Sequence, residues 1–312
     1  MDIKSKIEEL KNKVEQNPSD YEAQRELAFL YIDDGSLNPA LEIFEKLLKI
    51  FPDDGDLYFN IGIIYEKTKN KEKALENYKK AVTLSPDDTD YNYNLAFLYD
   101  QMGEFDKAIA LYKRVLALDE NDNNTHFNIG CLYAKQNKSK EAILHLESAL
   151  RLNPQDAYAW FYLAYEYKKI GDVKKAVAFY QNVIKINPEY SWAYYNLACI
   201  YNEHNDKETA LKFLEKTLEI NPRDIEAYKT FASILLSVKK VDLAIQKIEL
   251  ALEEHPELTD LHYLLGRIYC VTRQYPEAIK EYKFVLANTD NLQVPVDKVK
   301  NELNAIIKKN VS

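Results

Sequence analysis

The chain has 312 residues and a formal net charge of -9, from 41 Lys+Arg against 50 Asp+Glu. That sign excludes a phosphate backbone or an anionic membrane as the main partner, because both need a basic footprint. The content is 46% hydrophobic and 29% charged with only 7 glycines, which fits a folded, helix-rich protein and not a disordered one. No stretch approaches the ~20 consecutive apolar residues of a membrane helix, and the first residues lack the apolar run of a signal peptide. Cys131, Cys199 and Cys270 have no short spacing between them. A reducing, cytoplasmic setting is therefore expected, without a disulfide framework or zinc knuckle.

In chain order, residues 1–20 read as one helix with Ile7, Leu10 and Val14 on one face, an N-terminal cap. From there the chain repeats. Pro18, Pro52 and Pro86 are 34 apart, as are Pro154, Pro188, Pro222 and Pro256; the slot skipped between Pro86 and Pro154 holds Glu120. This register divides residues 21–292 into eight units: 21–54, 55–88, 89–122, 123–156, 157–190, 191–224, 225–258 and 259–292. Within each unit two helices are expected.

The columns of the repeat have physical readings. Position 8 holds Ala28, Gly62, Ala96, Gly130, Ala164, Ala198, Ala232 and Gly266, and position 20 is alanine in all eight units. Residues this small let two helices approach closely. Position 11 is tyrosine except at Leu235. Gly35, Gly103 and Gly171 share position 15, between the two helices, where a turn needs backbone freedom. The proline ends each unit because it cannot continue a helix interior, and the aspartates after it favour the next N-terminus. Residues 293–312 read as a C-terminal capping helix with Val296, Val299, Leu303 and Ile306 on one stripe.

This pattern resembles the tetratricopeptide-repeat (TPR) family, as in Trp160-Phe161-Tyr162-Leu163-Ala164 followed by Gly171, Ala176, Tyr180 and Pro188. The resemblance implies an all-α, right-handed superhelix of paired antiparallel helices. Departures are Glu120 and Asp290 in the proline slot, Leu235, and His126 and His262 at position 4.

The resemblance also implies that positions 2, 5, 6, 9, 12 and 13 of each first helix line a concave groove. Position 6 holds Asn60, Asn94, Asn128 and Asn196. An asparagine offers a donor and an acceptor, so a row of them could hold an extended peptide by its backbone. The row is similar to the asparagine ladder in the repeats of O-linked N-acetylglucosamine transferase, with no transferase domain following. The alternative is that asparagine here is repeat consensus without a ligand.

Aromatic residues flank the row: Phe59, Tyr93, Phe127, Phe161 and Tyr195 at position 5, Phe97 and Tyr165 at position 9, Tyr162 at position 6, and Tyr158 and Trp192 at position 2. They read either as binding anchors or as packing between adjacent first helices. The basic groove residues Arg25, Lys229 and Arg267 look scattered. The five histidines form no HExxH or paired-ligand spacing, and phosphate-binding glycine loops are missing, so no catalytic residue, cofactor or metal is expected. The expected role is a non-catalytic protein-interaction scaffold that binds a peptide. A regulatory subunit of an enzyme and a self-assembling homo-oligomer are the alternatives; no nucleic acid and no membrane insertion are expected.

Overall fold

An aspartate just before a unit starts the helix that follows. Asp20, Asp54, Asp88, Asp122, Asp156 and Asp224 each accept a bond from the backbone N–H three residues on, at 2.9–3.3 Å. Each such cap satisfies one of the orphan donors of a helix N-terminus and contributes about 1 kcal/mol. Tyr190 and Leu258 occupy the same position and make no side-chain cap.

The computed structural model describes residues 2–290 and 292–311 and contains eighteen α-helices among them. They fall into two compact units, residues 1–154 and 155–312. The first holds α1 (Ile3–Gln16) and four pairs: α2 (Tyr21–Asp33) with α3 (Leu37–Ile50), α4 (Gly55–Lys67) with α5 (Lys71–Leu84), α6 (Thr89–Gln101) with α7 (Phe105–Leu118), and α8 (Asn123–Lys135) with α9 (Ser139–Leu152). The second holds α10 (Ala157–Lys169) with α11 (Val173–Ile186), α12 (Ser191–Glu203) with α13 (Lys207–Ile220), α14 (Ile225–Ser237) with α15 (Val241–Glu254), α16 (Thr259–Val271) with α17 (Tyr275–Ala287), and α18 (Val296–Val311).

In seven of the pairs, from α4–α5 to α16–α17, the turn between the helices is a Schellman motif. In the second pair the N–H of Asn70 bonds the carbonyl of Tyr65 at 2.8 Å, and that of Lys69 bonds Glu66 at 2.9 Å. The residue between the helices is left-handed in all eight pairs. Gly35, Gly103 and Gly171 have φ of 82°, 79° and 85°, while Lys69, Asn137, Asn205, Lys239 and Arg273 have φ of 59–63°. The glycine column is thus a conformational column, filled in five repeats by residues for which that conformation costs energy.

The alanine column is the contact between the helices of a pair. Ala40, Ala74, Ala108, Ala142, Ala176, Ala210, Ala244 and Ala278 are all 0% exposed. Position 8 faces large side chains: a methyl at Gly62 would lie 2.6 Å from the ring of Tyr78, and one at Gly130 would lie 2.8 Å from Leu146, so no larger residue fits at either without a shift. A single helix packs on either side of the eight pairs. Ile7 and Leu10 of α1 are buried against Ala23 and Leu27. Val299, Leu303 and Ile306 of α18 are buried in the cluster that holds Tyr282 and Val285. Each stripe covers apolar surface that a terminal repeat would otherwise expose.

Candidate protein-interaction face

The aromatic residues of the first helices divide by column. At position 5, Phe59, Tyr93, Phe127, Phe161 and Tyr195 are half-buried. Phe59 lies 5.7 Å from Tyr78, Tyr93 5.4 Å from Tyr112, and Phe161 5.6 Å from Tyr180, measured between ring centroids. Tyr78, Tyr112 and Tyr180 share position 24 and are fully buried. Phe59, Tyr93 and Phe161 of this column therefore pack on the partner helix of the same pair.

At positions 2, 6 and 9 the rings face solvent. Tyr158 is 62% exposed, Trp192 53%, Tyr165 47%, Phe97 40% and Tyr162 37%. Four of these five belong to α10 and α12. Beneath them, Tyr190 lies 5.6 Å from Tyr158 and 5.2 Å from Phe161. Burial first, then the neighbouring phenols of Tyr158 and Tyr162, push the Tyr190 hydroxyl up to about 12. Burial likewise raises the Cys199 thiol, so it stays protonated and packs as an apolar residue.

The four asparagines do not act alike. Asn60, Asn94 and Asn196 each donate to the carbonyl four residues earlier in their own helix, those of Asp56, Asp90 and Trp192, at 2.7–2.8 Å. Among the described residues their side-chain oxygens accept no hydrogen bond. Asn128 instead donates to the hydroxyl of Tyr93 at 2.9 Å and of Tyr112 at 3.3 Å. The difference follows from position 5 of the preceding repeat. Ahead of Asn128 stands a tyrosine; ahead of Asn94 and Asn196 stand Phe59 and Phe161, which offer no hydroxyl. Tyr195 shows the same link, with its hydroxyl 3.3 Å from Oγ1 of Thr230 at the next position 6.

Position 4, where polar residues read as departures, has a structural job. The side chains of Gln24, Asn92, His126 and His262 donate to the carbonyl in the proline slot six residues back, at 2.8–3.3 Å. Each clips the inter-repeat turn to the helix that follows it. The two histidines also reach the second helix of their pair. His126 Nδ1 lies 3.1 Å from His145 Nδ1, and His262 Nδ1 lies 2.5 Å from a carboxylate oxygen of Glu281. Sequence reading missed this because the acceptor is a main-chain atom, and only the fixed spacing of six could have signalled it.

The charged residues also depart from a scattered arrangement. Lys229 and Arg267 line one cleft between α14 and α16. Arg25, by contrast, pairs with Asp54 within the first unit. Among the described residues, no group of three or more His, Cys, Asp or Glu side chains is placed to hold a metal ion. Nor is any helix among them long and apolar enough to cross a membrane.

Profiles of the tetratricopeptide repeat match residues 55–88, 88–155, 127–191 and 169–234, together more than half of the chain. The chain belongs to the tetratricopeptide-repeat family. Solved TPR structures share the fold. MamA is 25% identical with a TM-score of 0.51, over 53% of this chain and 97% of that one. YrrB, described as a TPR protein with an unusual peptide-binding site, is 23% identical with a TM-score of 0.53, over 63% and 97%. Yeast Tom70 is 17% identical with a TM-score of 0.56, over 94% and 65%. No curated protein sequence matches the chain significantly. TPR units present surfaces to other proteins, and this chain is a protein-interaction scaffold.

Proposed function

We propose that this scaffold is non-catalytic and binds an extended segment of a partner protein along its first-helix face, with α10 and α12 as the principal contact. The observation that carries this is the exposure of Tyr158, Tyr162, Tyr165 and Trp192 together, at 37–62% each, on two neighbouring first helices. Exposed apolar patches on folded proteins mark interaction sites, and tyrosine and tryptophan supply the anchors of binding hot spots. Asn196 stands among these rings with its side-chain oxygen open, ready to accept from a peptide N–H. In the first unit Asn60 and Asn94 offer the same acceptor beside Phe97.

The test is affinity capture from the native host, comparing the wild-type chain with a Trp192→Ala/Tyr165→Ala variant. Both residues are exposed, so the variant should melt like wild type. Loss of one defined partner, recovered as a purified protein and titrated directly, supports the reading. Equal affinity of both chains for every partner overturns it.

A further inference from the structure

The first helices of the last two repeats carry a different surface. Between α14 and α16 lies a cleft of about 350 Å³, with Leu236, Leu264, Ile268 and Val271 among the residues that line it. It continues toward α18 as a second cleft of about 270 Å³, the two sharing Arg267 and Val271. Volumes near 300 Å³ are at the lower end of real ligand sites. Val271 is 71% exposed, a large aliphatic residue left facing water.

The lining of this cleft differs in charge from the chain as a whole. The chain carries -9, yet the lining of the cleft between α14 and α16 holds two cations, Lys229 and Arg267, and no acid. Arg267 is exposed and makes no ion pair among the described residues; its guanidinium lies 6.0 Å from the Tyr263 ring. Lys229 holds Glu226 at 2.7 Å on its own helix and keeps donors to spare. The acid nearest Arg267 along the second cleft, Glu302, is already engaged, accepting from Tyr263 at 3.0 Å and Tyr282 at 2.9 Å. The ring-and-asparagine pattern is also broken here. Position 6 holds Thr230 and Leu264, and position 9 holds Ser233 and Arg267.

We infer that the cleft between α14 and α16 is a separate docking site for an acidic segment of a partner protein carrying an aliphatic anchor. The aliphatic side chain fills the space over Leu236, Leu264 and Ile268. A neighbouring aspartate or glutamate meets Arg267, whose planar fork matches a carboxylate with two parallel bonds. A basic segment is repelled by the same rim, and an uncharged one leaves the guanidinium without its partner.

The probe is a short fluorescently labelled peptide with aspartates flanking a leucine–isoleucine pair, titrated against the full chain by anisotropy. Expected are saturable binding that weakens as salt rises and a loss of about tenfold or more with Arg267→Gln. A comparable loss is expected with Val271→Ser, and none with Trp192→Ala, which separates this site from the ring face on α10 and α12. Both substituted residues are exposed, and circular dichroism melts verify that the variants remain folded. Absence of saturable binding, equal affinity for the peptide with asparagine in place of aspartate, or indifference to Arg267→Gln would each overturn the assignment.

Discussion

The amide of Asn128 donates to the hydroxyl of Tyr93, 2.9 Å away on the preceding first helix, and also to that of Tyr112, 3.3 Å away on α7. Three helices thus meet at one side chain. The same junction recurs between the eighth repeat and α18. There Glu302 of α18 accepts from Tyr263 and Tyr282, which occupy the positions of Tyr93 and Tyr112 in the last repeat. α18 satisfies the tyrosine pair of the eighth repeat as another repeat would. An asparagine at position 6 is therefore a structural clamp where a tyrosine precedes it and a free acceptor where a phenylalanine does.

Asn128→Ala should lower stability by about 1–2 kcal/mol, since it removes two bonds from phenols in a largely buried setting. Asn94→Ala and Asn196→Ala remove only a bond to their own helix and should stay within about 0.5 kcal/mol of wild type. Urea denaturation of the three variants decides this; equal losses for all three would contradict the division. Any peptide-binding defect of Asn128→Ala then has to be corrected for its stability loss, whereas one in Asn94→Ala or Asn196→Ala reads directly on binding.

The repeat itself was legible in the sequence, because prolines, alanines and tyrosines report backbone geometry and helix spacing, which recur every 34 residues. The two fates of asparagine were not read from its column alone. They depend on residues 35 positions earlier, as Tyr93 stands to Asn128, and emerge only when columns 5 and 6 are taken together. Likewise Gly35, Gly103 and Gly171 announced a left-handed turn, but Lys69, Lys239 and Arg273 hold the same conformation with residue types that carry no such signal. The surrounding turn forces it. The rings were visible as a group; their division into packed position 5 and exposed positions 2, 6 and 9 depends on which way each column faces.

Those turns make a graded prediction. Lys69→Gly, Lys239→Gly and Arg273→Gly relieve a left-handed conformation that costs an ordinary residue about 1–2 kcal/mol, against about 0.4–1 kcal/mol lost to the freer unfolded chain. Each should raise stability by roughly 0.5–1 kcal/mol. Asn137→Gly should gain less, because asparagine tolerates that region. The reverse change, Gly103→Ala, has open space around the new methyl but φ of 79°, so its loss of about 1 kcal/mol reports backbone strain alone. Urea midpoints measured across the set would show no such ordering if the turns relax.

Tyr180 is fully buried and its hydroxyl has no hydrogen-bond partner among the described residues. The junction that serves Tyr112 is missing there, because Phe161 precedes Asn196 and that asparagine bonds its own helix. Burial raises the Tyr180 hydroxyl well above the ordinary tyrosine range. Tyr180→Phe deletes an unsatisfied group without altering the ring packing, so stability should hold or rise by up to about 1 kcal/mol. Tyr78→Phe, which breaks a 2.7 Å bond to Glu66, should instead lose about 1 kcal/mol or more.

Glu166 occupies a column that is otherwise aliphatic: Leu30, Ile64, Leu98, Leu132, Ile200, Ile234 and Ile268. It is 0% exposed and neither carboxylate oxygen has a hydrogen bond among the described residues, while its ion-pair partner Lys169 lies 3.9 Å away. An acid so placed keeps its desolvation cost with little in return. Glu166→Ile restores the column residue and should stabilise the chain by about 1–4 kcal/mol in urea titrations. A destabilised variant would mean that the carboxylate has a partner or a use that outweighs its burial.

The facing histidines of the fourth repeat set an acid limit. His126 donates through Nε2 to the Glu120 carbonyl, so in the neutral pair its Nδ1 accepts from Nδ1–H of His145, 3.1 Å away. Burial, then His126, then Lys113 lower His145 from 6.5 to about 4. The folded pKa lies below the unfolded one, so the unfolded chain takes up the proton first as pH falls. The stability from this group is fully present above about 6.5 and drains away between 6.5 and about 4. Its size is about 1–2 kcal/mol, once the full shift is discounted for the ring's partial exposure. His145→Leu keeps the neighbours and removes the titration, so its stability should vary less with pH across that window than wild type does. Parallel pH profiles of the two chains in urea, from pH 7 to 4, would show that this pair does not sense acid.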